Sequence, residues 1–170
     1  RLRIVTTTGD PWPTGGWRRH LAAAVRDLGE LLDLLELDAD TLGVDATATA
    51  ALRFPLRVPR GFVSRMRVGD PDDPLLRQVL PLVVEDDEVS GFTANPVGEI
   101  GMSPAGGMLA KYRGRVLLVA TGTCAVHCRY CFRRHFPFDE HRGTDSEWAR
   151  ALGVVAADPT VEEIILSGGD

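Results

Sequence analysis

The chain has 170 residues, of which 44% are hydrophobic and 25% charged, and its formal net charge is −5. This length and composition are typical of a globular domain with its own core, and the negative charge gives no support to general nucleic-acid binding. Because no apolar run approaches the roughly 20 residues that span a bilayer and no apolar signal core opens the chain, we expect no membrane segment and a reducing, cytoplasmic location.

The first 110 residues predict helices joined by loops. Apolar residues recur at helical spacing from Trp17 to Leu37, which predicts one amphipathic helix. Shorter helices are predicted at about 46–52, 59–67 and 75–80. Residues 89–110 are rich in glycine and lack periodicity, so we expect an ordered loop there. We therefore assign residues 1–110 to a mostly helical, loop-rich N-terminal extension.

The rest of the chain predicts a strand, a helix and a second strand. Arg115 to Ala120 is a continuous apolar run after its first residue, which is typical of a strand buried on both faces. A helix is predicted from Asp145 to Ala157, with Thr144 or Asp145 as its cap, and a strand from Val161 to Leu166. This order implies a parallel βαβ unit, and we assign residues 111–170 to the start of an α/β barrel.

The three cysteines of the chain, Cys124, Cys128 and Cys131, directly follow the first predicted strand. A C-x3-C-x2-C run in a reducing location indicates a three-thiolate metal site rather than a disulfide framework. Three thiolates suit a four-iron cluster that leaves one iron open to an external ligand. Two alternatives stay open, namely structural cysteines in a core and a zinc site completed by His127 or His135.

A second motif, Ser167-Gly168-Gly169-Asp170, follows the second predicted strand. Glycines let the backbone approach a ligand closely, and the Asp170 carboxylate can accept a hydrogen bond from an ammonium group. Both motifs lie at the C-terminal ends of neighbouring strands, which is where α/β barrels build their active sites.

The cysteine spacing, with Tyr130 just before the last cysteine, resembles the signature of the radical S-adenosylmethionine superfamily. The resemblance implies that the methionine end of S-adenosylmethionine chelates the open iron of a 4Fe–4S cluster. One electron then cleaves the sulfonium and yields a 5′-deoxyadenosyl radical. The Ser-Gly-Gly-Asp motif is similar to the glycine-rich motif of the same superfamily.

Four further segments resemble the lysine 2,3-aminomutase family, in particular its branch that makes β-lysine for modifying translation elongation factor P. They are L-R-V-P-R-G-F (56–62), G-D-P-D-D-P-L-L-R-Q-V-L-P (69–81), K-Y-R-G-R-V-L-L-V (111–119) and C-R-Y-C-F-R-R-H-F-P (128–137). The resemblance implies a partial TIM-type radical S-adenosylmethionine barrel, of which the chain holds the first βαβ unit. It also implies an isomerase that converts L-α-lysine to β-lysine, with the migrating nitrogen held as an imine of pyridoxal 5′-phosphate.

The resemblance also implies a role for each matching residue. Cys124, Cys128 and Cys131 would hold the iron, and Tyr130 would lie near the adenosyl group. The methionine end would be held by Ser167, Gly168, Gly169 and Asp170. Contacts to pyridoxal phosphate would come from Tyr112 and Arg115, and Arg133 would grip the substrate carboxylate. The physical argument agrees for Arg115, because a guanidinium that opens a buried strand is costly unless it meets an anion such as a phosphate. The alternatives are a salt bridge at the strand start for Arg115, a solvated basic face for Arg133 and an ordinary half-buried side chain for Tyr112.

The resemblance does not supply the lysine that forms the imine with pyridoxal phosphate. In the family that lysine lies in the later half of the protein, and Lys111 is the single lysine of this sequence. We therefore expect a piece of a longer protein, inactive alone, whose strands expose an apolar edge. The partners implied are lysine and a reductant for the cluster, and an oligomer is compatible with the sequence. Two alternatives are a free-lysine aminomutase of metabolism and a non-catalytic zinc module that uses the three cysteines and His135.

Overall fold

The computed structural model of the protein describes residues 16–47, 49–132, 134–136 and 144–168. These residues divide into two compact units. The first takes the described part of Arg1–Ser90 together with Ala125–Cys131, and the second takes the described parts of Gly91–Cys124 and Phe132–Asp170. The loop with Cys128 and Cys131 therefore belongs to the first unit. The domain boundary that we place at residue 110 stays a prediction.

The first unit contains the helices of the N-terminal half. They are α1 (Trp17–Ala22), α2 (Leu28–Leu35), α3 (Ala39–Leu42), α4 (Thr49–Arg53), α5 (Arg60–Val63) and two 3₁₀ helices (Leu76–Gln78 and Val83–Asp86). The helices predicted at 46–52, 59–67 and 75–80 thus exist in shorter form. The helix that follows Pro59 ends at Val63, and the one predicted at 75–80 is a single 3₁₀ turn.

The prediction of one helix from Trp17 to Leu37 is wrong, because the helix is interrupted between α1 and α2. Val25 leaves the helical path and exchanges two backbone hydrogen bonds with Val58, of 2.8 and 2.9 Å. Asp27 then begins α2 as its N-cap, since its carboxylate accepts the Glu30 N–H at 2.8 Å. The apolar residues of the sequence still recur at helical spacing after the break, because α2 buries its own apolar face.

A hydrophobic cluster forms the core of the described part of the first unit. Its buried members are Val25, Leu28, Leu31, Leu32, Leu35, Leu56, Val58, Val63, Met66, Leu76, Val79 and Leu80. The four leucines of α2 lie at i, i+3, i+4 and i+7, which is the spacing of one helix face. Full burial of such a side chain stabilises the fold by about 1.5–3 kcal/mol. Val126, from the cysteine loop, packs against the same cluster.

The second unit contains a sheet whose described strands run in the order β1 (Met108–Tyr112), β2 (Arg115–Thr121) and β3 (Glu163–Gly168). Strand β1 was not predicted, because it lies at the end of the glycine-rich stretch where we expected a loop. It pairs with β2 in an antiparallel hairpin, and Gly114 provides the positive φ of 74° that the short turn needs.

The predicted strand–helix–strand order is confirmed. Strand β3 pairs with β2 in parallel, and α6 (Asp145–Ala157) connects them. Thr144 caps α6, since its hydroxyl accepts the Glu147 N–H at 3.3 Å while the Glu147 carboxylate accepts the Thr144 N–H at 3.0 Å. The larger barrel to which we assign this unit stays a prediction.

The sheet has a small core that leaves β3 largely exposed. Its buried members are Ala105, Met108, Val116, Leu118 and Ala151. On β3, by contrast, Ile164 and Leu166 are 45% and 65% exposed. Strand β2 is buried at Val116, Leu118 and Val119, whereas both its ends are exposed. Among the described residues, no helix has the length and apolar character needed to cross a membrane.

Candidate active site: a cysteine loop after a parallel strand

The three predicted metal ligands are free thiols of intermediate burial. Cys124 lies in the second unit, shortly after β2, whereas Cys128 and Cys131 lie in the loop segment of the first unit. The Cys131 N–H donates to the Cys128 carbonyl at 3.0 Å, so these two cysteines share one turn. Within the described ranges, no three histidine, cysteine or acidic side chains form a ready metal-binding group. The donor set itself fits iron–sulfur chemistry, because thiolates are soft ligands.

Both the backbone and the ring of His127 contact other residues of the first unit. Its N–H donates to the Arg57 carbonyl at 3.0 Å, and its Nδ1 lies 2.8 Å from the Pro55 carbonyl. The ring stacks on Phe54 with centroids 4.8 Å apart. Burial lowers the pKa of His127 below its usual value, against the opposing effect of the Pro55 hydrogen bond, and nearby arginine charges lower it further.

Arg129 is the buried charge of the cysteine loop. Its Nε and Nη2 donate to the two Glu85 carboxylate oxygens at 3.0 and 2.6 Å, and its Nη1 donates to the Phe54 carbonyl. The side chains of Arg129 and Glu85 are only 6% and 13% exposed. The Arg129 N–H donates to the Gln78 carbonyl at 2.7 Å. Sequence reasoning missed this set because no local pattern signals Glu85 as a partner.

Tyr130 presents an exposed ring, which is 70% accessible to solvent. Its hydroxyl lies 3.3 Å from Gln78 Oε1, to which it donates a hydrogen bond. A hydrogen bond and charge from Cys128, with a smaller contribution from Cys131, raise the pKa of Tyr130 above its ordinary value. The predicted contact with an adenosyl group stays a prediction, and the exposed ring is compatible with it.

Of the predicted glycine-rich motif, Ser167 and Gly168 lie among the described residues, whereas Gly169 and Asp170 lie outside them. Both end β3, where Ser167 pairs with Val119 and Gly168 with Thr121. Gly168 has a φ of 150°, and a Cβ at this position would lie 2.1 Å from the Thr121 carbonyl oxygen. Glycine is therefore required here by the close approach of the two backbones.

The predicted cofactor-phosphate contacts lie at the hairpin. Tyr112, at the end of β1, is 63% exposed, and the Lys111 ammonium lies 5.4 Å from its ring centroid. Arg115 opens β2, as predicted, and forms an ion pair with Glu163 on β3. Both partners are about half exposed, and this ion pair is the salt bridge at the strand start that the sequence offers as the alternative to a phosphate. The phosphate contact itself stays a prediction.

The predicted substrate-carboxylate residue, Arg133, lies outside the described residues. His135, the alternative zinc ligand, is described, and no metal-binding group of three such side chains includes it within the part of the chain that the structure covers.

The described residues thus define a class of site, namely a loop of free cysteines after the first strand of a parallel βαβ unit. No family model matches the chain. The chain is 49% identical over 154 residues to the L-lysine 2,3-aminomutase of Escherichia coli (strain K12), which covers 91% of this chain and 44% of that protein. The protein of the same name from Haemophilus influenzae is 42% identical over 91% of this chain and 45% of its own length.

More distant proteins carry the same name. The L-lysine 2,3-aminomutase of Clostridium subterminale is 28% identical over 155 residues, or 91% of this chain and 37% of that protein. The resemblance to lysine 2,3-aminomutases is therefore confirmed across most of the chain. The chain spans less than half the length of these relatives.

Proposed function

We propose that the chain forms part of a radical S-adenosylmethionine isomerase that converts L-α-lysine to β-lysine. The observation that carries the proposal is 49% identity, over 91% of the chain, to a protein named L-lysine 2,3-aminomutase. The three free cysteines, at a spacing typical of an open four-iron cluster, support the same conclusion. The protein is expected in the reducing cytoplasm, where such thiols stay available to metals.

The fold that we propose is the opening of a TIM-type barrel. Strands β2 and β3 with α6 would be its first βαβ unit, and the helical N-terminal half would be an extension that precedes it. The parallel pairing of β2 and β3 supports this assignment. Cys124 after β2 and the glycine-rich motif after β3 would then follow the C-terminal ends of adjacent strands, where barrel enzymes bind their substrates.

The cofactors proposed are a 4Fe–4S cluster, S-adenosylmethionine and pyridoxal 5′-phosphate. Bound together, they would supply a carbon-centred radical and a carrier for the migrating amino group. Three cysteine thiolates would hold the cluster and leave one iron for the methionine end of S-adenosylmethionine. The exposed ring of Tyr130 would contact the adenosyl group of S-adenosylmethionine. Gly168 would let the β3 backbone approach S-adenosylmethionine closely.

The remaining residues would bind the substrate and the second cofactor. The guanidinium of Arg133 matches a carboxylate bidentately, which would orient the lysine for removal of its 3-hydrogen. Tyr112 and Arg115 would contact the phosphate of pyridoxal phosphate, for which Arg115 would exchange its carboxylate partner. Ser167, Gly169 and Asp170 would bind the methionine amino and carboxylate groups. These roles rest on the resemblance of the matching segments.

Anaerobic reconstitution with iron and sulfide tests the proposal. We expect a brown protein that binds four irons and four sulfides and that, once its cluster is reduced by one electron, gives an electron paramagnetic resonance signal that changes when S-adenosylmethionine is added. The matched control replaces Cys128 with serine, which should abolish the cluster. A colourless protein that binds zinc through the three cysteines and His135 would instead identify the non-catalytic alternative.

The biological substrate separates two versions of the proposed enzyme. In the first, β-lysine serves the modification of elongation factor P, and in the second it enters free-lysine metabolism. The more similar and the more distant relatives share one name, which does not separate the two versions. The motif resemblance favours the first version. Deletion of the gene followed by mass spectrometry of elongation factor P tests it, since loss of the modification is expected.

A further inference from the structure

On both sides of Cys128, the backbone of the cysteine loop donates a hydrogen bond to another segment of the first unit. The N–H of His127 donates to the Arg57 carbonyl at 3.0 Å, and the N–H of Arg129 donates to the Gln78 carbonyl at 2.7 Å. Cys128 therefore lies between two anchored backbone amides. Because Cys131 shares a turn with Cys128, restraint of one restrains the other.

A third attachment is the buried ion pair between Arg129 and Glu85. The guanidinium donates to the Glu85 carboxylate from Nε at 3.0 Å and from Nη2 at 2.6 Å, and it also lies 5.3 Å from the Phe54 ring centroid. Burial of two charges carries a large desolvation cost, so such a pair adds little net stability over an apolar contact. Because Arg129 lies between two proposed metal ligands, its buried pair with Glu85 is better explained by the loop geometry that it enforces.

We infer that Arg129 and Glu85 are positioning residues that preorganise Cys128 and Cys131 for cluster assembly. The inference rests on the proposed function, because a pair of thiols needs a fixed spacing only if they bind the same group. The physical reason is that metal binding is coupled to ordering of the ligands, so a loop ordered in advance loses less entropy when the cluster forms.

The test replaces Glu85 with glutamine, which keeps the size and the hydrogen-bonding oxygen but removes the charge. The matched control is Glu30→Gln in the same unit, because Glu30 pairs with Arg60 while both side chains are about two-fifths exposed. Two readouts are needed. One is amide hydrogen exchange at His127 and Arg129 in the cluster-free protein, and the other is iron and sulfide content after anaerobic reconstitution at limiting iron.

In Glu85→Gln we expect exchange at the His127 and Arg129 amides to accelerate by about ten-fold or more. The amides of Val25 and Val58, which bond each other in the core, should lose less protection than the two loop amides. Iron content should fall below that of the unsubstituted protein, and the signal of any remaining cluster should broaden. Glu30→Gln should match the unsubstituted protein in both readouts.

A second variant, Arg129→Lys, keeps the charge but loses the paired donors. Its amide exchange rates and its iron content should lie between those of Glu85→Gln and Glu30→Gln. This second variant carries the test if Glu85→Gln does not fold. Unchanged exchange in both variants, or equal acceleration at Val25 and Val58, would overturn the inference, since the pair would then be irrelevant or a general stabiliser. A cluster of normal content and signal in both variants would also overturn it. Failure of the unsubstituted protein to bind any cluster overturns the proposed function instead.

Discussion

The two units bury their apolar residues in different ways. In the first, Leu31 and Leu35 are completely buried within a core that the unit builds from its own short helices and loops. In the second, β3 is bonded to β2 along its length, yet Ile164 and Leu166 remain 45% and 65% exposed. The comparison teaches that the first unit is stabilised by side-chain packing, whereas β3 depends on backbone hydrogen bonds to its neighbour.

The largest expected effect tests this contrast directly with the same substitution in both units. Leu31→Ala should lower the free energy of unfolding by about 2–5 kcal/mol, because it leaves a cavity in a closed core. Leu166→Ala should cost less than about 1 kcal/mol, since most of that side chain already contacts water. Urea denaturation followed by circular dichroism measures both. Equal losses at the two positions would contradict the contrast.

A substitution at the β2–β3 junction probes the second unit where backbone contact is closest. Gly168→Ala should destabilise the protein by about 3 kcal/mol, because its Cβ would meet the Thr121 carbonyl and its φ of 150° disfavours other residues. The matched control is Gly153→Ala in α6, where a Cβ meets no atom within 4 Å. That change should stabilise the helix by about 0.5–1 kcal/mol. Thermal unfolding of both variants checks the prediction, which fails if Gly168→Ala is neutral.

The elements that were predicted correctly are those specified by neighbouring residues. Helix α6 has its capping box and its apolar face within one stretch of sequence. Strand β2 is predicted by its continuous apolar run. Strand β1 has no such signal, because its pairing with β2 creates it. The break between α1 and α2 likewise depends on Val58, which no local period can reveal.

The same limit applies to the site. The cysteine spacing and the glycine-rich motif are short and local, so the sequence identifies both. The partner of Arg129 lies 44 residues away and the partner of Arg115 lies 48 residues away, on another strand. A salt bridge at Arg115 was an alternative, but neither partner could be predicted, because charge pairing across such distances is decided by the fold that brings the two segments of the chain together.

The smallest expected effect concerns a buried carboxylate within the first unit. Asp73 is 3% exposed and accepts three backbone N–H groups, from Arg67 at 3.1 Å, Leu75 at 2.8 Å and Leu76 at 3.0 Å. Asp73→Ala should cost about 2 kcal/mol, since it leaves buried donors without an acceptor. Asp72→Ala is the control, because its ion pair with Arg77 is largely exposed and is worth at most about 1 kcal/mol. If urea denaturation finds the two variants equally stable, packing alone holds this turn and its hydrogen bonds add nothing.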